Sequence, residues 1–229
     1  MRDTSINGIP ALGASTASHP DRFADGPPRA PGAGAALDGL PLTRLHLAVL
    51  AVGTVGFSFD LMEVALGNVL SAVFSAPPYG LSAAELSWLL SAMYLGAIIG
   101  APGAGWLADR HGRRLALSSV LAVLAVTSLG AGFSRGAGEL FAARFLSGLA
   151  LGAYPPLLIT FLTDVLPARN RGRLILIVAG LAALGPVAAV FLARWLTPIA
   201  PLGIEGWRWC FLLGAAGAAA TALAFRRLP

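Results

Sequence analysis

Six times between Leu45 and Phe225 the sequence runs through roughly twenty predominantly apolar residues, several of the runs apolar on every side, each ending at turn-forming or charged residues. A helix of about 20 residues is about 30 Å long, the thickness of a bilayer's hydrocarbon core. A helix of that length on a water-soluble protein keeps a broad polar face, and several of these runs have none. The chain is therefore read as all-α and polytopic, with spans at approximately Leu45–Phe74, Leu86–Ala108, Leu115–Phe133, Leu140–Val165, Leu174–Leu196 and Trp209–Phe225. Composition agrees: 56% of residues are hydrophobic and 12% charged, with a mean hydropathy of +0.75, well outside the range of soluble domains.

Several kinds of chemistry are excluded. The single cysteine, Cys210, leaves no internal disulfide or cysteine-based metal cluster, and the three histidines lack ligand spacing, so no metal and no cofactor is expected. No nucleophile–base pair and no phosphate-binding loop is present, so the chain is not expected to be an enzyme. All 16 basic residues are arginine, and the net charge of +5 in a soluble protein would suggest nucleic acid. In a membrane protein the same excess sets orientation, and no nucleic-acid partner is expected.

Residues 1–43 are rich in Gly, Ala, Pro, Ser and Asp, without helical periodicity or a secretory signal pattern, and are expected to form a disordered tail. Residues 44–229 form the six-span bundle, with the first span as the insertion signal. The connections after spans two and four, DRHGRR and PARNRGR, are rich in arginine, whereas those after spans one, three and five are weakly charged. By the positive-inside rule both termini are cytoplasmic and the protein sits in the cell (inner) membrane, in contact with the lipid bilayer.

The stretch GWLADRHGRR, Gly105 to Arg114, places five ionisable residues in its last six positions. It resembles the loop between the second and third helices of the major facilitator superfamily, G-x-L-A-D-R-x-G-R-R. RFLSGLALGAYPP, DVLPARNRGR and GWRWCFLL resemble superfamily features in order and placement, so the likeness covers Leu45 to about Phe225. It implies that Gly105 permits close helix approach, that Asp109 sits at the cytoplasmic end of the second helix, and that Gly112 makes the turn. Arg113 and Arg114 would hold the third helix to the inner surface. It further implies that Arg113 pairs with Asp164 at the inner end of the fourth helix, either as a latch rearranged during transport or as a static surface salt bridge. Members of the superfamily have twelve helices in two six-helix halves. The expected fold is thus the N-terminal six-helix half, with the break after Phe225 at the boundary between halves.

Charges within the spans are the strongest pointers to function. Gly53, Gly56, Asp60, Glu63 and Gly67 recur at spacings of three and four, which puts them on one face of the first helix. A carboxylate near mid-bilayer costs several kcal/mol unless it meets water, a proton or a cation. Asp60 and Glu63 are therefore candidates for substrate or proton binding, or for burial against a fixed partner. Arg144, near the outer third of the fourth helix, either faces inward to an anionic substrate, Glu63 or Asp60, or snorkels to headgroups. Gly148 and Gly152 continue its stripe, Gly96 and Gly100 make a matching pair in the second helix, and Pro155 and Pro156 interrupt the fourth.

Taken with the resemblance, these residues imply a secondary active transporter, a proton-coupled symporter of a small organic solute such as an organic acid or sugar. GLAALGPVAAV in the fifth helix matches the superfamily's antiporter pattern only at Gly185 and Pro186, so drug/proton antiport ranks below symport and a Gly-Pro kink is the simpler reading. A truncated, non-transporting membrane subunit is the alternative from a different class. The expected partners are a small-molecule substrate and protons, and either a second copy or a separate C-terminal half.

Overall fold

A computed structural model describes residues 42–77 and 79–228. The tail expected over residues 1–43 lies outside the described residues as far as residue 41. Among the described residues the chain forms eight α-helices: α1 (Arg44–Ser75), α2 (Ala83–His111), α3 (Arg113–Phe133), α4 (Ala137–Leu151), α5 (Tyr154–Val165), α6 (Arg171–Ala182), α7 (Leu184–Ile199) and α8 (Gly206–Arg227). Helices α4 and α5 together make the fourth span, Ala137–Val165, and α6 and α7 belong to the fifth, Ala168–Ile199, so six spans are long and apolar enough to cross a membrane. The spans run a few residues beyond the apolar runs because their ends are capped by polar groups. Thr43 accepts from the His46 amide while the His46 ring accepts from the Thr43 amide, and Ser82 and Glu85 do the same for α2.

Glycine and proline decide where helices stop. Gly112 alone joins α2 to α3 and has φ +88°, a conformation other residues adopt only with strain. Pro155 and Pro156 have no N–H for the carbonyls of Leu151 and Gly152, so the fourth span breaks at Gly152–Ala153 and restarts with both prolines in the first turn of α5. Pro186 likewise has no donor for Ala182, the last residue of α6. The fifth span is thus interrupted at Ala183, beside the Gly-Pro pair at which a kink is expected.

The packing has an internal symmetry. Spans three and six pack extensively on each other, span one lies against spans five and six, and span four lies against spans two and three. Exchanging spans one to three for four to six maps this set onto itself, as in a bundle built from a three-helix repeat. Within lipid, helices associate through close van der Waals packing more than through hydrophobicity, and small residues allow it. A Cβ on Gly96 would lie 2.0 Å from the Phe145 carbonyl oxygen, and one on Gly148 2.0 Å from that of Met93. A Cβ on Gly100 would lie 2.1 Å from the Leu149 carbonyl oxygen, and one on Gly152 2.7 Å from that of Ala97. Helices α2 and α4 thus touch backbone to backbone along the expected glycine stripe. Spans two and five are the least buried, presenting Trp88, Ile98, Ile99 and Trp106 on one and Leu176, Leu184, Phe191 and Trp195 on the other.

Candidate functional site

Deep in the bundle α1 brings Glu63 against α4 and α3. Arg144 Nη1 donates to Glu63 Oε1 at 2.7 Å, and Nη2 donates to the Glu63 backbone carbonyl at 3.2 Å. Ser128 of α3 donates to the other carboxylate oxygen at 2.8 Å. The Arg144 guanidinium also lies 3.3 Å from the Met93 sulfur and 5.7 Å from the centre of the Phe211 ring. Both ionic side chains are almost wholly buried, at 1% and 3% exposure, so the arginine faces the interior instead of snorkelling to headgroups. Gly67 makes room for it, since a Cβ there would come within 3.1 Å of Arg144 Nη2.

Asp60 lies one turn away on the same face and is as deeply buried, yet its Oδ1 has no hydrogen-bond partner. The pairing of Arg144 is with Glu63 and not with Asp60. Near Asp60 stands Tyr154, fully buried at the start of α5, whose hydroxyl donates to the Gly53 carbonyl at 3.3 Å. The hydroxyl fills the space that a side chain on Gly56 would need, with a Cβ there only 2.1 Å away. All five residues of the small acidic face of α1 are buried. Ser128 and Tyr154 escaped sequence reasoning: Ser128 is one of several hydroxyls in apolar helices, and nothing in AYPP marks where the tyrosine ring will point.

At the Arg113 end of α3 the latch residues divide into those that meet and those that do not. Arg113 forms an ion pair with Asp164 and donates to the Thr160 carbonyl at 3.0 Å, while Arg114 donates to the Leu228 carbonyl. Gly112 makes the turn as expected. Gly105 departs from expectation, because nothing lies within 4 Å of where its Cβ would be. After the break in the fourth span, α5 leaves α2, and Gly105 borders a cleft of about 250 Å³ that Asp109, Arg113, Pro156 and Thr160 also line. Asp109 is exposed and has no side-chain partner among the described residues.

At the opposite end a second polar cluster joins three connections. Tyr79 donates to Glu205, Arg208 Nε donates to Glu205 Oε2 at 2.8 Å, and Arg208 Nη1 donates to the carbonyls of Gly132 and Ser134. The Arg208 guanidinium stacks 4.4 Å over the Trp207 ring. Burial together with the Glu205 carboxylate pushes the Tyr79 phenol above its usual range. For Glu205, burial acts upward but is outweighed by the hydrogen bonds from Tyr79 and Arg208, and the carboxyl is held below its ordinary value. A depressed folded-state pKa stabilises the fold above the unfolded value of about 4.3 and ceases to do so as pH falls through the folded value. Glu205→Gln is expected to lower the melting temperature at pH 7, with the gap to the parent closing below about pH 4. A gap that stayed constant from neutral to acid pH would contradict this.

Six spans, a symmetric pattern of contacts between them and a buried ion pair beside an unpaired buried carboxyl define a multi-pass α-helical membrane protein. A family model described as Major Facilitator Superfamily matches residues 48–229, and the chain belongs to that family. Relatives include the niacin transporter NiaP of Acinetobacter baylyi, 27% identical over 193 residues, covering 84% of this chain and 43% of that protein. The gallate transporter of Pseudomonas putida is 33% identical over 178 residues, covering 78% of this chain and 38% of that protein. Among solved structures, the proton:xylose symporter XylE superposes with a TM-score of 0.69 at 20% identity, over 80% of this chain and 45% of that one. The chain thus spans less than half the length of these relatives.

Proposed function

We propose that this bundle is the N-terminal half of a proton-coupled symporter of a small organic solute, with an aromatic carboxylate as the leading substrate class. The observation that carries the coupling is the contrast between two neighbouring carboxyls. Glu63 has both oxygens engaged, by Arg144 and by Ser128, whereas Asp60 Oδ1 is buried with no partner. A carboxyl in that position is tolerated when it holds a proton, so Asp60 is the group that takes up and releases one, and Glu63 is the standing counter-ion of Arg144. The substrate class rests on the relatives named for niacin and gallate, and the xylose symporter supplies a sugar as the competing class. Proteoliposomes holding the transporter built on this chain, with an imposed inward proton gradient, are expected to concentrate nicotinate or gallate in preference to xylose. Preference for xylose would overturn the substrate class, and no accumulation of any of the three would overturn the symport reading.

The exposed apolar faces of spans two and five support a second six-helix unit as partner, completing a central pathway between two halves. That unit is a C-terminal half or a second copy of this bundle; cross-linking in mild detergent distinguishes the two. The arginine-rich connections support a cytoplasmic location for both termini in an inner membrane.

The ion pair of Arg113 with Asp164 supports the latch. Its side chains are 34% and 56% exposed, and a pair so placed contributes only about 0–1 kcal/mol to stability. Its importance is therefore expected in rate. Charge reversal at either residue should slow transport, and the double exchange should restore it in part. Strict additivity in a double-mutant cycle would remove the latch and leave a static surface pair.

A further inference from the structure

The fourth span is divided in a way that links two sites described above. Its outer part, α4, carries Arg144 and is fixed to α2 by backbone contact at Gly96, Gly100, Gly148 and Gly152. Its inner part, α5, is joined to α4 only through Gly152 and Ala153, where proline removes the helical hydrogen bonds. One end of α5 is Tyr154, packed into the Gly53–Gly56 notch of α1. Near its other end, about 15 Å away at 1.5 Å per residue, is Asp164 with its ion pair to Arg113. Helix α5 is a short rod that touches the proton site at one end and the latch at the other.

We infer that Tyr154 is a positioning residue for transport: its hydroxyl leaves the Gly53 carbonyl for the Asp60 carboxylate when Asp60 is ionised, and α5 moves with it. This rests on the reading of Asp60 as the proton-carrying group. Helical side chains point back toward the N-terminus, so the Asp60 carboxyl leans toward Gly56, four residues before it, and the Tyr154 hydroxyl is already beside Gly56. The Gly53 carbonyl keeps the amide of Phe57 as its helical donor and is not orphaned when the hydroxyl leaves. A hydroxyl bound to a carboxylate is held about twice as strongly as one bound to a neutral carbonyl.

No other group is placed to answer the charge as readily. Among the described residues the buried ionisable side chains are Asp60 and Glu63 on α1, Arg144 on α4, Tyr154 on α5 and Cys210 on α8. Helix α3 contributes Ser118, Thr127 and Ser128, α4 contributes Ser147, which donates to the Arg144 carbonyl, and α8 contributes Thr221, all uncharged, while α2, α6 and α7 bring no buried charge. Arg144 holds Glu63 through Nη1 and the Glu63 carbonyl through Nη2, so turning to Asp60 would strip Glu63 of its cation.

The test uses the chain in lipid nanodiscs with nitroxide labels at the exposed positions His111 and Arg169. Because α2 is fixed to α4, the distance between the labels reports movement of α5 relative to the outer part of its own span. The distance should switch between two values as pH is raised, and Asp60→Asn should hold it at the low-pH value throughout. Tyr154→Phe keeps the ring and removes only the hydroxyl, so the distance should no longer switch, and the Asp60 carboxyl, deprived of a donor to its ionised form, should titrate about one to two pH units higher. A parent whose distance ignores pH, or a Tyr154→Phe variant whose distance switches as the parent's does, would overturn the inference. Infrared titration of the Asp60 carboxyl band on the same samples separates the two readings. Absence of a band that disappears in Asp60→Asn refutes the proton site, whereas a titrating band with an unmoved distance refutes only the role of Tyr154.

Discussion

Replacing Glu63 by leucine should destabilise the bundle by about 3–5 kcal/mol, and replacing Arg144 by leucine by somewhat less. Both remove one member of an ion pair that is 1% and 3% exposed, leaving the other without its counter-charge. The two are not equivalent, because a lone glutamate can take up a proton, whereas a lone guanidinium stays charged at any accessible pH. The stranded arginine keeps the backbone carbonyl of residue 63, a neutral acceptor, and beside it only the weak acceptors Phe211 and Met93. The double Leu variant has no buried charge left at this point and should recover most of the loss, since apolar replacements of whole buried pairs are commonly neutral. Unfolding of the purified chain in mild detergent measures all three. Single variants that each cost less than about 1 kcal/mol would show that the pair is not held as the geometry indicates.

Asp60→Asn should uncouple transport from the proton gradient. If one proton accompanies each solute, a gradient of one pH unit supplies about 1.4 kcal/mol and sustains about tenfold accumulation. Asparagine nearly keeps the shape of a protonated aspartate but cannot release a proton, so the accumulation ratio should fall to about one while exchange of labelled for unlabelled substrate continues. The corresponding change at Glu63 should instead impair folding and exchange together, because Glu63 anchors Arg144. Retention of gradient-driven accumulation by Asp60→Asn would assign coupling to another group.

The spans were legible because lipid makes a simple demand: every residue of a helix facing hydrocarbon must be apolar, and that rule leaves long runs in the sequence. The Glu63–Arg144 pair was half legible. A buried acid and a buried base in one bundle must meet something, but periodicity places Asp60 and Glu63 on one face alike, and only three-dimensional packing decides that Glu63 receives the arginine. The same limit applies to Gly105, whose expected close contact depends on where α5 goes after its break and not on the glycine. Glu205 and Arg208 are three residues apart at the start of α8, but their meeting with Tyr79 was illegible, because no local pattern relates residues 126 positions apart.

The distance in sequence between Glu63 and Arg144 has a consequence during synthesis. The two residues are 81 positions apart, and a ribosome adds about 5–20 residues each second. For about 4–16 s after Glu63 is made, the first span exists without its cation, carrying two acidic residues that each oppose insertion by a few kcal/mol. A span in that condition is disfavoured in lipid until the fourth span brings Arg144 to it. Delaying the fourth span, by a pause in translation or a lengthened connection, should leave the first span exposed to membrane quality-control proteases before the finished bundle can exist.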